Sequence, residues 1–83
     1  MYQIVISNKA EKALVKLTST VYERVVSALN KLAADPRPPG CKKLKGREAW
    51  RIRVGDYRAI YEIEDAKLIV RVISVGHRKD VYE

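Results

Sequence analysis

The stretch WRIRVGDYRAIYEI, residues 50–63, decides the fold because its side chains alternate with a period of two. Apolar residues alternate with arginines in residues 50–54 and with charged or aliphatic residues in 57–63, which is typical of half-buried strands. Between the two runs, Gly55-Asp56 has glycine first and suits a type II′ turn. The stretch therefore predicts an antiparallel β-hairpin.

The register of this hairpin brings arginines together on one side of the sheet. Arg53 lies opposite Arg58 across the turn, and Arg51 lies diagonal to Arg58. Like charges directly opposite destabilise a ladder by up to about 1 kcal/mol, so folding gains nothing obvious from this cluster. Each guanidinium can give two parallel hydrogen bonds to phosphate oxygens. We therefore expect a phosphate-binding face, with a solvated basic face as the alternative.

Upstream of the hairpin, the sequence predicts one strand and two helices. Residues 2–6 are mostly β-branched and apolar and predict a short strand. Asn8 and Thr20, each followed by a glutamate three residues later, form capping boxes that predict two helix starts. The sequence DPRPPG at residues 35–40 ends the second helix and makes a stiff connector. Two helices this close in the chain form an αα-hairpin.

Downstream of the hairpin, the chain predicts one more strand. Asp65-Ala66 is a candidate for the next reversal, and residues 68–74 follow as the strand. The element order is then β-α-α-β-β-β. We expect a single α+β domain over residues 1–83, with the helical hairpin packed on one face of an antiparallel sheet.

Length and composition exclude several classes of protein. In a chain of 83 residues, most apolar side chains are needed for one core, so little remains for a deep substrate cavity. No run of apolar residues exceeds three, which excludes a membrane span and a signal-peptide apolar region. A single cysteine, Cys41, and a single histidine allow neither an internal disulfide nor a Cys/His zinc site. We therefore expect a cytoplasmic protein that uses no metal and no cofactor.

The net charge of +7 is concentrated in one part of the chain. Residues 37–58 contain eight basic and two acidic residues, and so carry six of the seven net positive charges. Such a concentration indicates a polyanionic partner such as nucleic acid. Besides the arginine cluster, the RNA-binding candidates here are Lys43, Lys45 and Arg47, for which a solvated basic face is again the alternative.

The C-terminal residues bring further candidates to the same place. A last strand antiparallel to its predecessor ends near Arg58, so the tail emerges at the arginine cluster. This tail carries Arg78 and Tyr82, and at its start lies His77, whose side chain ordinarily has a pKa near neutrality. His77 is therefore a further RNA-binding candidate. The alternative for Tyr82 is an anchor that packs on the sheet.

Three segments in this order resemble the RelE/ParE toxin superfamily, and specifically its RelE branch: KLKG at 43–46, WRIRVGDYRAIY at 50–61 and VISVGHRKDVY at 72–82. The resemblance covers the whole chain. It implies a toxin of a type II toxin–antitoxin pair that enters the A site of the ribosome and cleaves the mRNA there. The partners it implies are a cognate antitoxin, the ribosome and mRNA, with no membrane and no small-molecule cofactor.

The resemblance also implies the roles of five residues. The family's basic pair on the active-site strand falls on Arg51 and Arg53, its next strand arginine on Arg58, and its tail pair on Arg78 and Tyr82. The implied reaction needs no metal: the 2′-hydroxyl attacks the adjacent 3′-phosphate, which leaves a 2′,3′-cyclic phosphate and a 5′-hydroxyl. Arg58 and Arg78 suit the charge of the phosphorane, and Tyr82 can stack on a base or orient the hydroxyl.

The general base of this reaction stays open. Members of the RelE branch often carry lysines where Arg51 and Arg53 stand, and an arginine effectively never deprotonates. His77 is one candidate for the base. The other possibility is that no true base acts and that positioning on the ribosome supplies most of the rate.

Two other functions are compatible with the basic face. A ParE-type toxin inhibits a topoisomerase through protein contacts and cleaves no nucleic acid. A plain RNA- or DNA-binding module needs the basic face and no chemistry. The ParE branch generally lacks the arginine and terminal tyrosine set, so its presence here favours the RelE branch.

An apolar strip lies on the arginine side of the predicted sheet. With Asp65-Ala66 as the turn, Ile60, Ile69 and Ile73 share this side. An apolar strip beside a cationic site indicates a surface that another chain covers. The family resemblance implies that the covering chain is a cognate antitoxin with an acidic, partly disordered segment.

Overall fold

The computed structural model describes residues 1–77, which form a five-stranded sheet, two helices and the loops between them. Both helices pack on one face of the sheet, so the predicted α+β class and helical hairpin are confirmed. Neither helix in this part of the chain is long and apolar enough to cross a membrane. The elements are β1 (Gln3–Ile6), α1 (Asn8–Leu14), α2 (Ser19–Lys31), β2 (Lys42–Lys43), β3 (Trp50–Val54), β4 (Tyr57–Glu64), a 3₁₀ turn (Asp65–Lys67) and β5 (Ile69–His77).

The sheet is mixed, which corrects the prediction of an antiparallel sheet. Its strand order is β1-β5-β4-β3-β2, with β1 parallel to β5 and the other pairs antiparallel. Period-two alternation assigns a face to each residue but no direction to the strand, and no turn joins β1 to β5. The extra strand β2 has two residues, which are too few to show a period.

The hairpin of β3 and β4 has the predicted register, with Arg53 opposite Arg58. Gly55 has a φ of 59°. Within residues 1–77, Leu68 is the one non-glycine residue with a positive φ, so Asp56 has a negative φ. A positive φ followed by a negative φ is the pattern of a type II′ turn. The signs of φ at the two turn residues are therefore those of the predicted turn type.

The reversal between β4 and β5 is wider than the predicted turn at Asp65-Ala66. Residues 65–68 form it, and Leu68 closes the 3₁₀ turn in a left-handed conformation with a φ of 54°. The Asp65 carboxylate accepts hydrogen bonds from Tyr2 Oη at 2.6 Å and from Arg37 Nη2 at 3.0 Å. These bonds come from distant parts of the chain, so the local sequence does not show how they shape the turn.

Strand β5 contains a bulge. Tyr61 lies opposite Val72 and Ile60 lies opposite Ser74, which leaves Ile73 as an extra residue. A bulge of this kind bends the strand and increases its local twist.

Both helices start one or two residues earlier than the capping boxes predict. Ser7, rather than Asn8, is the N-cap of α1, and its Oγ accepts the N–H of the third helical residue at 3.1 Å. The same hydroxyl donates to the Ile73 carbonyl at 2.8 Å. Helix α2 begins after Thr18 rather than Thr20, and this N-cap makes no side-chain hydrogen bond. The Ser7 hydroxyl thus caps α1 and also links this helix to β5.

The main core lies between the helices and the sheet. Leu29, Tyr61, Val70 and Val72 are each at most 1% exposed. Complete burial of an aliphatic side chain of this size contributes about 1.5–3 kcal/mol. The Tyr61 hydroxyl donates to the Pro36 carbonyl at 2.7 Å, and burial raises the pKa of this phenol. The proline-rich connector is thereby attached to the centre of the core.

Candidate nucleic-acid interface

The predicted strand arginines share the face of the sheet that the helices leave uncovered. Arg53 lies opposite Arg58, and Arg51 lies opposite Ile60, the next pair on this face. The residues that alternate with them on β3 and β4 belong to the core under the helices. The structure therefore brings Arg51, Arg53 and Arg58 together.

Arg51 is a buried charge in this cluster, with only 7% of its surface exposed. Burial lowers the pKa of its guanidinium, and the positive charges of Arg58 and Arg53 lower that pKa further. Arginine nevertheless stays protonated in proteins. Arg58 is half-buried and Arg53 is exposed, so positive charge extends from beneath the sheet surface to solvent. An anion on this face would be attracted by all three groups at once.

The short strand β2 adds a cation that sequence reasoning did not single out. Lys42 lies opposite Arg51, whereas Lys43 lies opposite Trp50. Since facing residues share a side of the sheet, Lys42 is on the arginine face and Lys43 is on the other. The Nζ of Lys43 instead lies 3.2 Å from the Glu48 carboxylate. We define the cationic end of the sheet face as Lys42, Arg51, Arg53 and Arg58.

Lys45 and Arg47 are exposed on the loop between β2 and β3. Leu44 and Ala49 hold this loop in place, since both are at most 3% exposed and pack with Ile60. The Leu44 N–H also donates to the Ala49 carbonyl at 2.9 Å. Because Ile60 shares the face of the arginines, the loop borders the cationic end.

The same packing corrects the predicted apolar strip. Ile60, Ile69 and Ile73 do share the arginine side. Ile60, however, is only 3% exposed, because Leu44 and Ala49 cover it and Ile73 packs beside them. The chain itself therefore covers the centre of this strip. Sequence spacing could not show that a loop folds back over the strand.

His77 does not lie with the arginines. It is opposite Tyr57, on the side of the helices, and the two rings meet edge to face with their centroids 5.5 Å apart. Gly76 lies opposite Arg58, so β5 does end at the cationic end as predicted. The imidazole of His77 nevertheless lies on the side opposite the arginine face. Arg78 and Tyr82 lie outside the described residues.

The far end of the same face carries charges of both signs. Glu62 lies opposite Arg71, and Arg71 forms an ion pair with Glu64. The Lys67 Nζ lies 3.8 Å from the Glu64 carboxylate. We define the paired end of the face as Glu62, Glu64, Lys67 and Arg71.

The chemistry available at the cationic end is therefore fixed positive charge with many N–H donors. Within residues 1–77, no group of three or more His, Cys, Asp or Glu side chains could hold a metal ion. Guanidinium groups bind phosphate with two parallel hydrogen bonds and can follow the charge that grows on it during a reaction. The arrangement suits a phosphodiester.

Comparison with known proteins identifies related toxins. Residues 4–82 match the family model described as the ParE toxin of type II toxin–antitoxin systems, parDE. The mRNA interferase toxin RelE of Escherichia coli strain K12 is 34% identical over 86 aligned residues. That alignment covers 94% of this chain and 84% of RelE.

The fold is similar to solved toxin structures. A chain in the crystal structure of the archaeal RelE–RelB complex from Pyrococcus horikoshii OT3 has a TM-score of 0.84 at 27% identity, covering 96% of this chain and 98% of that one. A chain in the intact E. coli RelBE toxin–antitoxin complex has a TM-score of 0.81 at 34% identity, covering 93% and 96%. The resemblance noted in the sequence is thus confirmed, and the chain belongs to the ParE toxin family of type II toxin–antitoxin systems, within the RelE/ParE superfamily.

Proposed function

We propose that this toxin is an endoribonuclease that cleaves mRNA in the ribosomal A site and thereby inhibits translation in the cytoplasm. The observation that carries the proposal is the crowding of Arg58 and Arg53 around the buried Arg51. Such crowding opposes folding, and it suits a phosphate whose negative charge increases during a reaction. The 34% identical E. coli relative is named an mRNA interferase, which supports the same class of reaction.

The proposed reaction is attack of a 2′-hydroxyl on its own 3′-phosphate. The O2′–P bond forms and the P–O5′ bond breaks, which gives a 2′,3′-cyclic phosphate and a 5′-hydroxyl. Arg58 donates to the non-bridging oxygens as their charge grows, and Arg51 adds positive charge from beneath the sheet surface. The tail residues Arg78 and Tyr82 complete the proposed site. Because arginines supply the positive charge, the proposed reaction needs no metal ion.

The proton of the 2′-hydroxyl is the open step in this chemistry. His77 lies on the opposite side of the sheet from the arginines. The arginines stay protonated and cannot accept the proton. We therefore assign most of the rate to positioning on the ribosome and to charge stabilisation, with solvent accepting the 2′-proton and supplying the proton that the leaving O5′ takes up.

A cognate antitoxin is the proposed protein partner. The two RelE structures compared above are toxin–antitoxin complexes. An acidic segment of the antitoxin would neutralise the cationic end and keep RNA away from it. Co-expression with the neighbouring open reading frame should rescue growth and yield a complex, whereas a harmless toxin recovered alone at high expression would contradict this partner.

The test of the proposed function is a cleavage assay on programmed ribosomes. Defined mRNA is incubated with toxin in the presence and absence of ribosomes, and new 5′ ends are mapped by primer extension. The expected result is cleavage within the A-site codon that requires ribosomes. Intact mRNA together with inhibition of topoisomerase supercoiling would assign the protein to ParE-type action. Intact mRNA and unaffected topoisomerase would leave only a binding role.

A further inference from the structure

A second basic surface lies on the side of the sheet opposite the arginines. It is an open groove of about 650 Å³ between α1 and the end of the β4–β5 pair. Three lysines, Lys9, Lys12 and Lys16, line it together with Tyr57 and His77. No carboxylate side chain lines the groove within the part of the chain that the structure describes. We call this surface the lysine groove, after the three lysines that line it.

The lysines form a row along one wall. Lys9 and Lys12 are about 4.5 Å apart along the axis of α1, slightly less than one turn of helix. Lys16 continues the row in the turn that follows, where its N–H donates to the Ala13 carbonyl at 3.3 Å. All three residues are exposed. A row of flexible point charges suits a repeating anion and imposes no fixed orientation on it.

The lysine groove is continuous with the cationic end. Gly76 lines the groove and lies directly opposite Arg58. The next pair along, Tyr57 and His77, faces the groove. The two basic surfaces therefore meet across the same end of the sheet, and one extended polyanion can contact both. The half-buried rings of Tyr57 and His77 also offer an aromatic surface to a nucleobase.

We propose that the lysine groove binds the sugar–phosphate backbone of an RNA strand that continues around the end of the sheet from the arginine face. This inference rests on the proposed function for the identity of the RNA, which is mRNA or ribosomal RNA at the A site. The groove contributes affinity and orientation rather than cleavage chemistry, because it lies on the other side of the sheet from the arginines. An acidic protein segment is the competing occupant.

The experiment compares two double variants that remove the same charge. Lys9→Gln/Lys12→Gln alters the groove, and Lys31→Gln/Lys67→Gln alters exposed lysines elsewhere. Binding of each full-length protein to programmed ribosomes is titrated over a range of salt concentrations, after circular dichroism has shown that both are folded. Two lost phosphate contacts should reduce the log–log salt slope by about 1.4 for the groove variant, while the control keeps the wild-type slope.

Each outcome bears on one claim. Equal slopes for the two double variants would overturn the groove assignment and leave the nuclease proposal standing. Loss of antitoxin affinity in the groove variant, with an unchanged ribosome slope, would assign the groove to an acidic protein segment and also overturn the RNA assignment. Failure of the wild-type toxin to bind ribosomes or cleave mRNA would refute the proposed function. The groove is then tested by the same comparison on a single-stranded RNA oligonucleotide.

Discussion

The two ends of the sheet face opposite the helices use charge in opposite ways. At the paired end, Arg71 forms an ion pair with Glu64 and lies opposite Glu62. At the cationic end, Arg51 is buried beside two further arginines, and the adjacent strand contributes Lys42 rather than a carboxylate. Charge pairing within a chain serves the fold, whereas crowding of like charges has no use to the fold itself. This contrast supports the proposal that the cationic end is the one that binds a ligand.

The strongest test of this comparison removes one arginine from each end. Arg58→Ala should cut the single-turnover cleavage rate on programmed ribosomes by about 10²-fold or more, the scale for loss of one preorganised donor. Arg71→Ala removes the same charge from the paired end and should leave the rate near that of the wild type. Equal losses in the two variants, both folded, would mean that the ends do not differ in function.

The next test asks whether the cationic end opposes folding. Arg51→Met should raise the free energy of unfolding by about 1 kcal/mol, because it removes a buried charge and its repulsion by Arg58 and Arg53. Since the folded state lowers the pKa of Arg51, the penalty is present at every pH below that pKa, so the gain should be constant across neutral pH. Denaturant titration measures it. Arg71→Met should instead reduce stability, and a larger loss at Arg51 would contradict the comparison.

Substitution of the two adjacent lysines of β2 should have smaller and unequal effects on ribosome binding. Lys42 is on the arginine face, and Lys43 is on the other side, beside Glu48. Lys42→Gln should reduce the salt slope of ribosome binding by about 0.7, the value for one phosphate contact. Lys43→Gln should change it less. The reverse order would show that RNA follows the edge of the sheet rather than its face.

The smallest effect concerns acid stability beyond the paired end. Hydrogen bonds from Arg37 and Tyr2 lower the pKa of Asp65. Its contribution to stability is therefore present above the ordinary carboxyl pKa and is lost as the pH falls through the lowered value. Asp65→Asn should flatten the acid side of a thermal-stability profile, and Arg37→Gln should do the same. An unchanged profile in both variants would show that this exposed pair contributes nothing measurable.

Local sequence patterns predicted the features that alternation and turn chemistry control. The Gly55-Asp56 turn sets the register, and the register alone places Arg51, Arg53 and Arg58 on one face. The helical hairpin followed in the same way from the two capping boxes and the proline-rich connector. These features depend on residues that are near one another in the chain.

The features that sequence reasoning missed depend on contacts between distant residues. Ser7 caps α1 because its hydroxyl also reaches Ile73. Ile60 is covered because a loop anchored by Leu44 folds over it. Pairing with β3 decides which of Lys42 and Lys43 lies on the arginine face. A two-residue strand is too short to show this by alternation of its own.

The single extra residue in β5 sets the phase of everything after it. Before the bulge, the even-numbered Val70 and Val72 belong to the core, and after it the odd-numbered Val75 does. His77 follows the second phase, which turns it away from the arginines. Deletion of Ile73 would remove the bulge and leave His77 opposite Tyr57, whereas regular pairing of Ile73 would continue the first phase and place His77 on the arginine side. One residue accommodated in a bulge thus decides on which face of the sheet the imidazole lies, with no substitution in the site.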